Sequence, residues 1–225
     1  MMLKDKTVVL CLPGKNYSGK FLTSTVELVM FIQGNGGKVF MSQHYAPMVN
    51  FARCKVAGAS TLKGRKQLPF GGAHYDYMLW IDSDQVFDID AFKKLLDMDK
   101  DIASGWYCQP YTMTDGSRMT PVVEVMSDAF YLEHGTYQFL SAAQLQEREE
   151  PFEADYIGFG WVLIKHGVFE KMDYPWFAPK LINLSDDVAE MCSEDVAFCR
   201  DAIVAGFDIW VDPTCKVGHE KLFVV

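Results

Sequence analysis

No run of apolar residues approaches the roughly 18 that a membrane-spanning helix needs, so no span is expected. Basic residues are outnumbered: 21 Lys and Arg stand against 30 Asp and Glu, a formal charge of −9. That balance counts against a broad nonspecific nucleic-acid face, although Lys63, Arg65 and Lys66 form a local basic run. No C-x-x-C pair occurs among Cys11, Cys54, Cys108, Cys192, Cys199 and Cys215, and no histidine cluster accompanies them, which removes a structural zinc site. Residues 1–6 are polar and run straight into a strand pattern, without the look of a secretory leader. The cysteines therefore read as reduced, mostly buried thiols. The phosphate-loop pattern G-x-x-x-x-G-K-[ST] is absent too; GKNYSGK at 14–20 is only a faint version of it. No repeat, low-complexity segment or linker interrupts the chain, so a single domain over residues 1–225 is expected.

What the chain does have is apolar and aromatic content, 49% and 14%, enough for a sizeable core. Residues 7–12 (TVVLCL) read as a buried strand closed by Pro13 and Gly14. Apolar positions in 21–33 share one helix face, and 38–42 and 77–81 (YMLWI) are further strands. Helical patterns fall at 48–57 and 91–96, and a fourth strand at 102–107. This alternation predicts an α/β fold with a mainly parallel sheet flanked by helices. Residues 111–121 read as loop, 122–126 and 129–133 as short strands, and 144–150 as a polar helix or mobile stretch. Structure resumes at 156–164, with a short helix at 168–172 and an exposed aromatic segment at 174–177. A helix at 194–205 and a last strand at 207–211 follow.

Asp82-Ser83-Asp84 sits where the YMLWI strand ends. Ligands of parallel α/β sheets bind beyond the carboxyl ends of strands, and two carboxylates at i and i+2 can aim at one hard divalent cation. The competing reading is a pair of turn or cap aspartates, the role expected of Asp88.

Read with its neighbours, YMLWIDSDQVF resembles the D-x-D strand of GT-A-type glycosyltransferases, those of family 2 in particular. Residues 50–53 (NFAR) resemble an upstream element of those enzymes, and 155–164 (DYIGFGWVLI) their glycine-containing acceptor-side strand. Residues 193–199 (SEDVAFC) are similar to their E-D motif at a helix start, and Asp212-Pro213 with Gly218-His219 to their last strand and metal-binding histidine. The pieces run in order along nearly the whole chain; the match is poorest over 111–150.

The resemblance implies a GT-A (Rossmann-like) domain, its nucleotide part about 1–110 and its acceptor part about 111–225. It implies a metal-dependent enzyme; the lack of a leader or span pattern points to the cytoplasm, and the compact size to a bacterium or a virus-infected host cell. Such an enzyme moves a sugar from a UDP- or GDP-linked donor to a hydroxyl acceptor. Mn2+ or Mg2+ is implied at Asp84 and His219, with Asp82 beside the metal or nearer the ribose. Pro13 and Gly14 are implied at the base and ribose, and Arg53 at the diphosphate, with Arg65 or Lys66 as further candidates. Spacing alone leaves Glu194 and Asp195 as either helix-start acids or catalytic groups. The resemblance implies Asp195 as general base in an inverting reaction, with Glu194 orienting the acceptor or serving as the base itself. Asp155, Trp161 and Trp176 are candidates to shape the acceptor pocket, with buried core the equal alternative for both tryptophans. The net acidity favours a glycan acceptor over a modified base in DNA, and the PWF segment leaves room for a homodimer face. The alternatives are a nucleotidyltransferase and a GT-A-like module that binds sugar or nucleotide without turnover.

Overall fold

The computed structural model describes residues 3–114 and 116–221. The chain opens with strand β1 (Thr7–Pro13), buried along its whole length as an internal parallel strand must be. Helix α1 (Gly19–Gly34) starts at Ser18, whose hydroxyl accepts the Phe21 N–H at 3.1 Å. Strand β2 (Lys38–His44) returns parallel to β1, pairing from Thr7↔Lys38 to Pro13↔His44. Helix α2 (Val49–Val56) leads to β3 (Tyr77–Ile81), parallel to β1 on its other side. Then come β4 (Gln85–Val86), α3 (Ile89–Asp97) and β5 (Ile102–Trp106). Asp88 caps α3 as expected, accepting the Ala91 N–H at 2.8 Å.

The second half departs further from expectation. Strand β6 (Met119–Val123) begins inside the segment read as loop, and residues 129–133 lie in helix α4 (Asp128–His134) instead of a strand. The reason is local: Ser127 caps the first turn, Gly135 closes the last in a left-handed conformation, and the apolar residues between do not alternate. After β7 (Phe139–Ser141), α5 (Ala142–Gln146) and β8 (Phe152–Glu153), the 156–164 segment splits. It forms β9 (Tyr156–Ile157) and β10 (Trp161–Lys165), separated by Gly158 to Gly160. Helix α6 (Val168–Lys171), the hairpin β11 (Lys180–Asn183) and β12 (Ala189–Cys192), and helix α7 (Glu194–Val204) follow. The last strands are β13 (Ile209–Lys216), longer than read from sequence, and β14 (Gly218–His219).

The central sheet runs β2-β1-β3-β10-β5-β13-β8, with β10 and β8 reversed against five strands that share one direction. Side chains alternate between its faces. Val8, Leu10, Leu79 and Ile81 meet α1 and α3, whereas Val9, Cys11, Met78 and Trp80 meet α2, α6 and α7. The aromatic segment at 174–177 is largely internal: Trp176 and Phe177 are buried, and Phe177 packs on Trp80, Phe159 and Phe198 with ring centroids 5.0–5.1 Å apart. This ring cluster is the floor on which the functional residues stand.

Candidate active site

The chain leaves β3 through a turn, Gln85 N–H to Asp82 carbonyl at 3.0 Å, which sends the two aspartates in different directions. Asp82 turns inward to Arg53, whose Nη2 stands 3.2 Å from its carboxylate. The same guanidinium bonds Glu194 Oε1 through Nε at 3.2 Å and the Phe159 carbonyl through Nη1 at 3.3 Å, and it lies over the Phe159 ring. Arg53 is itself buried. It is thus the tie between α2, the β3 turn and the start of α7, with three of its five N–H groups on protein oxygens. Its contacts are to two acids and a carbonyl, where the expectation had placed a diphosphate. Arg65 lines a cavity of about 420 Å3 with Lys171 and Lys180, whose lining does not include Asp82 or Asp84, and Lys66 pairs with Asp173 at 2.6 Å.

The two aspartates are tuned oppositely. Burial raises the Asp82 pKa, as do Asp84 and Asp195, against the pull of Arg53. Burial acts upward on Asp84 too, but hydrogen bonds from His219 and Lys221 prevail and bring it to about 2. Asp84 therefore keeps its charge at any working pH. Burial also raises Glu194, with Asp195 beside it, despite Arg53.

Asp84 faces His219, 135 positions away in sequence, with Oδ2 to Nε2 at 3.1 Å. β14 reaches the spot by pairing antiparallel with β4, His219 opposite Gln85. His219 Nδ1 stands 2.9 Å from the Cys108 carbonyl, which only accepts, so Nδ1 carries its proton there and Nε2 is aimed at the aspartate. A fixed imidazole nitrogen beside a carboxylate suits a divalent cation. Among the described residues no three His, Cys, Asp or Glu side chains gather tightly enough to hold a metal alone. A cation here would take Asp84, His219 and oxygens from phosphate and water, as Mg2+ commonly does.

Asp195, half-buried in the first turn of α7, accepts from Tyr156 Oη at 3.0 Å and from the Ser193 hydroxyl. Ser193 is the residue before the helix, but its hydroxyl orients Asp195 and makes no capping bond. Glu194, expected as base or acceptor-orienting acid, is buried against Arg53, and Asp195 is the more accessible of the two.

Pro13 and Gly14 line an open cleft of about 310 Å3 with Tyr45, Pro47, Ala52 and Ser83. The loop crosses the D-x-D turn so closely that a Cβ on Gly14 would fall 2.5 Å from Ser83 Cβ. Trp161, expected at the acceptor, is fully buried and stacks on Phe87 at 4.7 Å, so it has no face for a sugar; buried Trp176 is excluded likewise. Asp155 holds the Met126 N–H at 2.8 Å and lines a separate cavity with Asp128 and Arg200. Two residues of the site carried no sequence signal beyond a place in or beside a strand. Tyr107, buried, has its ring 4.9 Å from that of His219, and a Cβ on Gly160 would fall 2.6 Å from its Cε1. Gln85, buried beside Gly160, has no partner for its amide among the described residues.

No family model matches the chain, and no curated protein does. Among solved structures, the crystal structure of GalNAc-T7 with UDP, GalNAc and Mn2+ is similar at TM-score 0.53 and 12% identity, over 96% of this chain and 43% of that one. A197 from STIV aligns over 98% of this chain and 96% of its own, at 14% identity and TM-score 0.48. The chain thus spans less than half the length of the GalNAc-T7 structure it resembles. The likeness shows the fold: GT-A-like, with a seven-stranded, mainly parallel sheet flanked by helices.

Proposed function

We propose that the chain is a metal-dependent glycosyltransferase that moves a sugar from a UDP- or GDP-linked donor to a hydroxyl acceptor with inversion. The observation that carries this reading is the facing pair Asp84 and His219, at one end of a set that reaches Asp195 through Asp82, Arg53 and Glu194. The donor belongs in the cleft at Pro13 and Gly14, its diphosphate toward Asp84. Residues to about 110 serve the donor and those beyond it the acceptor. Asp84 and His219, with Asp82 next to them, would hold Mn2+ or Mg2+. When bound, that ion offsets the charge developing on the departing diphosphate.

Asp195 is the base. As the acceptor oxygen bonds to the anomeric carbon, its proton passes to a carboxylate oxygen of Asp195, and the glycosidic C–O bond electrons leave with the diphosphate. Tyr156 and Ser193 fix the direction of that carboxylate. Arg53 offsets Asp82 and Glu194, so that the remaining acids coexist in one site. Excess negative charge around Asp195 disfavours a phosphodiester acceptor and favours a neutral hydroxyl such as a glycan's.

Thermal unfolding with a panel of nucleoside diphosphates, with Mn2+, with Mg2+ and with EDTA, tests the reading. A ligand at ~100 times its dissociation constant should add about 2.7 kcal/mol. One nucleotide should shift the transition only with cation present, and Asp84→Asn should abolish the shift. No shift with any nucleotide would sink the proposal.

A further inference from the structure

Asp84 Oδ2 has a second partner besides His219. The Lys221 ammonium lies 2.7 Å from the same oxygen. This contact is set by the backbone as well as by the side chain. β14 is held to β4 by pairing, and the Glu220 N–H donates to the Asp84 carbonyl at 2.7 Å, so the chain past His219 is laid along the D-x-D turn. Lys20 stands 3.8 Å from Glu220 and braces the same stretch from α1.

Both partners stand on one carboxylate oxygen, Nε2 at 3.1 Å and the ammonium at 2.7 Å. A hard divalent cation binds such an oxygen at about 2.0–2.1 Å, in the space an ammonium at 2.7 Å already fills. His219 is a ligand in the metal-site reading, so Lys221 is the partner that gives way to a cation on this oxygen. His219 is anchored through Nδ1 to the Cys108 carbonyl, and its side chain is only 9% exposed. Lys221 is 39% exposed, on a flexible stem with no other hydrogen bond among the described residues. Charge gives the contact its purpose: Asp82, Asp84, Glu194 and Asp195 crowd one region in which Arg53 forms its ion pairs with Asp82 and Glu194.

We infer that Lys221 is an exchangeable counter-ion of the donor site: it neutralises Asp84 in the free protein and is displaced when a divalent cation binds. The inference rests on the metal-site reading above and adds a residue to it. Metal alone then binds weakly, because it must first break the Lys221–Asp84 pair. The incoming diphosphate, itself a partner for an ammonium, favours the exchange.

The test is Mn2+ binding to the full chain, followed by electron paramagnetic resonance of the free ion, with no nucleotide present. Lys221→Met keeps the stem and removes the charge. It should bind Mn2+ up to about fivefold more tightly than the parent, the size expected for losing a partly exposed ion pair. Lys221→Arg should return to the parent value, and Asp84→Asn should bind poorly in either background. Equal affinity for the parent and Lys221→Met, with binding still lost in Asp84→Asn, would overturn the counter-ion inference and leave the metal site standing. No Mn2+ binding by either, even with nucleotide, would overturn the metal-site reading and the inference with it.

Discussion

The two ends of the central sheet carry similar charged side chains and arrange them in opposite ways. At the end where β1 and β3 begin, each acid has its own donors. Asp76 takes Lys6 and the Thr7 N–H, both at 2.8 Å, Glu170 takes Tyr75 Oη and the Gly167 N–H, both at 2.7 Å, and Asp99 takes Lys165 at 2.7 Å. Burial works against the Asp76 charge, yet Lys6 and Thr7 hold its pKa below the usual value. At the end where β1 and β3 finish, one arginine serves two acids, and the pKa values of Asp82 and Glu194 are raised. A structural cluster satisfies itself; a charge imbalance kept in a buried place calls for something from outside. The same sheet thus separates a settled end from a poised one.

The comparison breaks most visibly at Asp195. Asp195→Asn keeps the shape and the Tyr156 contact but removes the base, and turnover should fall about 10²–10⁴-fold while nucleotide-induced thermal shifts persist. Loss of the nucleotide shift together with turnover would make Asp195 a structural residue and remove the asymmetry argued here. Next in size is stability. Arg53→Met strips the shared cation from two acids and should cost about 3–5 kcal/mol in denaturant unfolding, because uncompensated charge is left behind. Its counterpart at the settled end, Lys6→Met, removes an exposed partner from an acid that keeps the Thr7 N–H, and should change the midpoint far less. Equal losses would show the two ends to be energetically alike.

The sheet was legible because its strands are short apolar runs or alternate with period two, and because Pro13 and Asp82 mark where two of them stop. Asp82, Asp84 and His219 were named as candidates through their place at strand ends; the fold sets Asp84 and His219 3.1 Å apart, while Asp82 turns to Arg53. What Arg53 does was not. Its partner Glu194 is 141 positions away, and nothing local distinguishes an arginine that binds phosphate from one that ties two acids. Trp161 fails for a related reason: an apolar strand looks the same whether its tryptophan faces a groove or Phe87. The helix at 128–134 was missed because Phe130 and Tyr131 favour strands one by one, and the decisive signals are the cap and the glycine on either side. Lys221 and Tyr107 gave no signal, since each matters only through what the fold lays beside it.

The smallest expected effect is also the sharpest on sign. For Asp76 the folded pKa lies below its ordinary value of 3.8, so its ionised form is favoured by folding. Its contribution is present above the ordinary carboxylate range and is lost as pH falls through the folded value. For Glu194 the folded pKa lies above its ordinary value of 4.5, so folding favours the protonated form. The stability this gives is present at low pH and is lost as pH rises through the folded value. Unfolding free energies of the parent, Asp76→Asn and Glu194→Gln, measured from pH 3 to about pH 7, should therefore diverge. The parent's advantage over Asp76→Asn should grow with pH, whereas its advantage over Glu194→Gln should shrink. Parallel curves would mean that Arg53 fully compensates Glu194, and that the poised end is as balanced as the other.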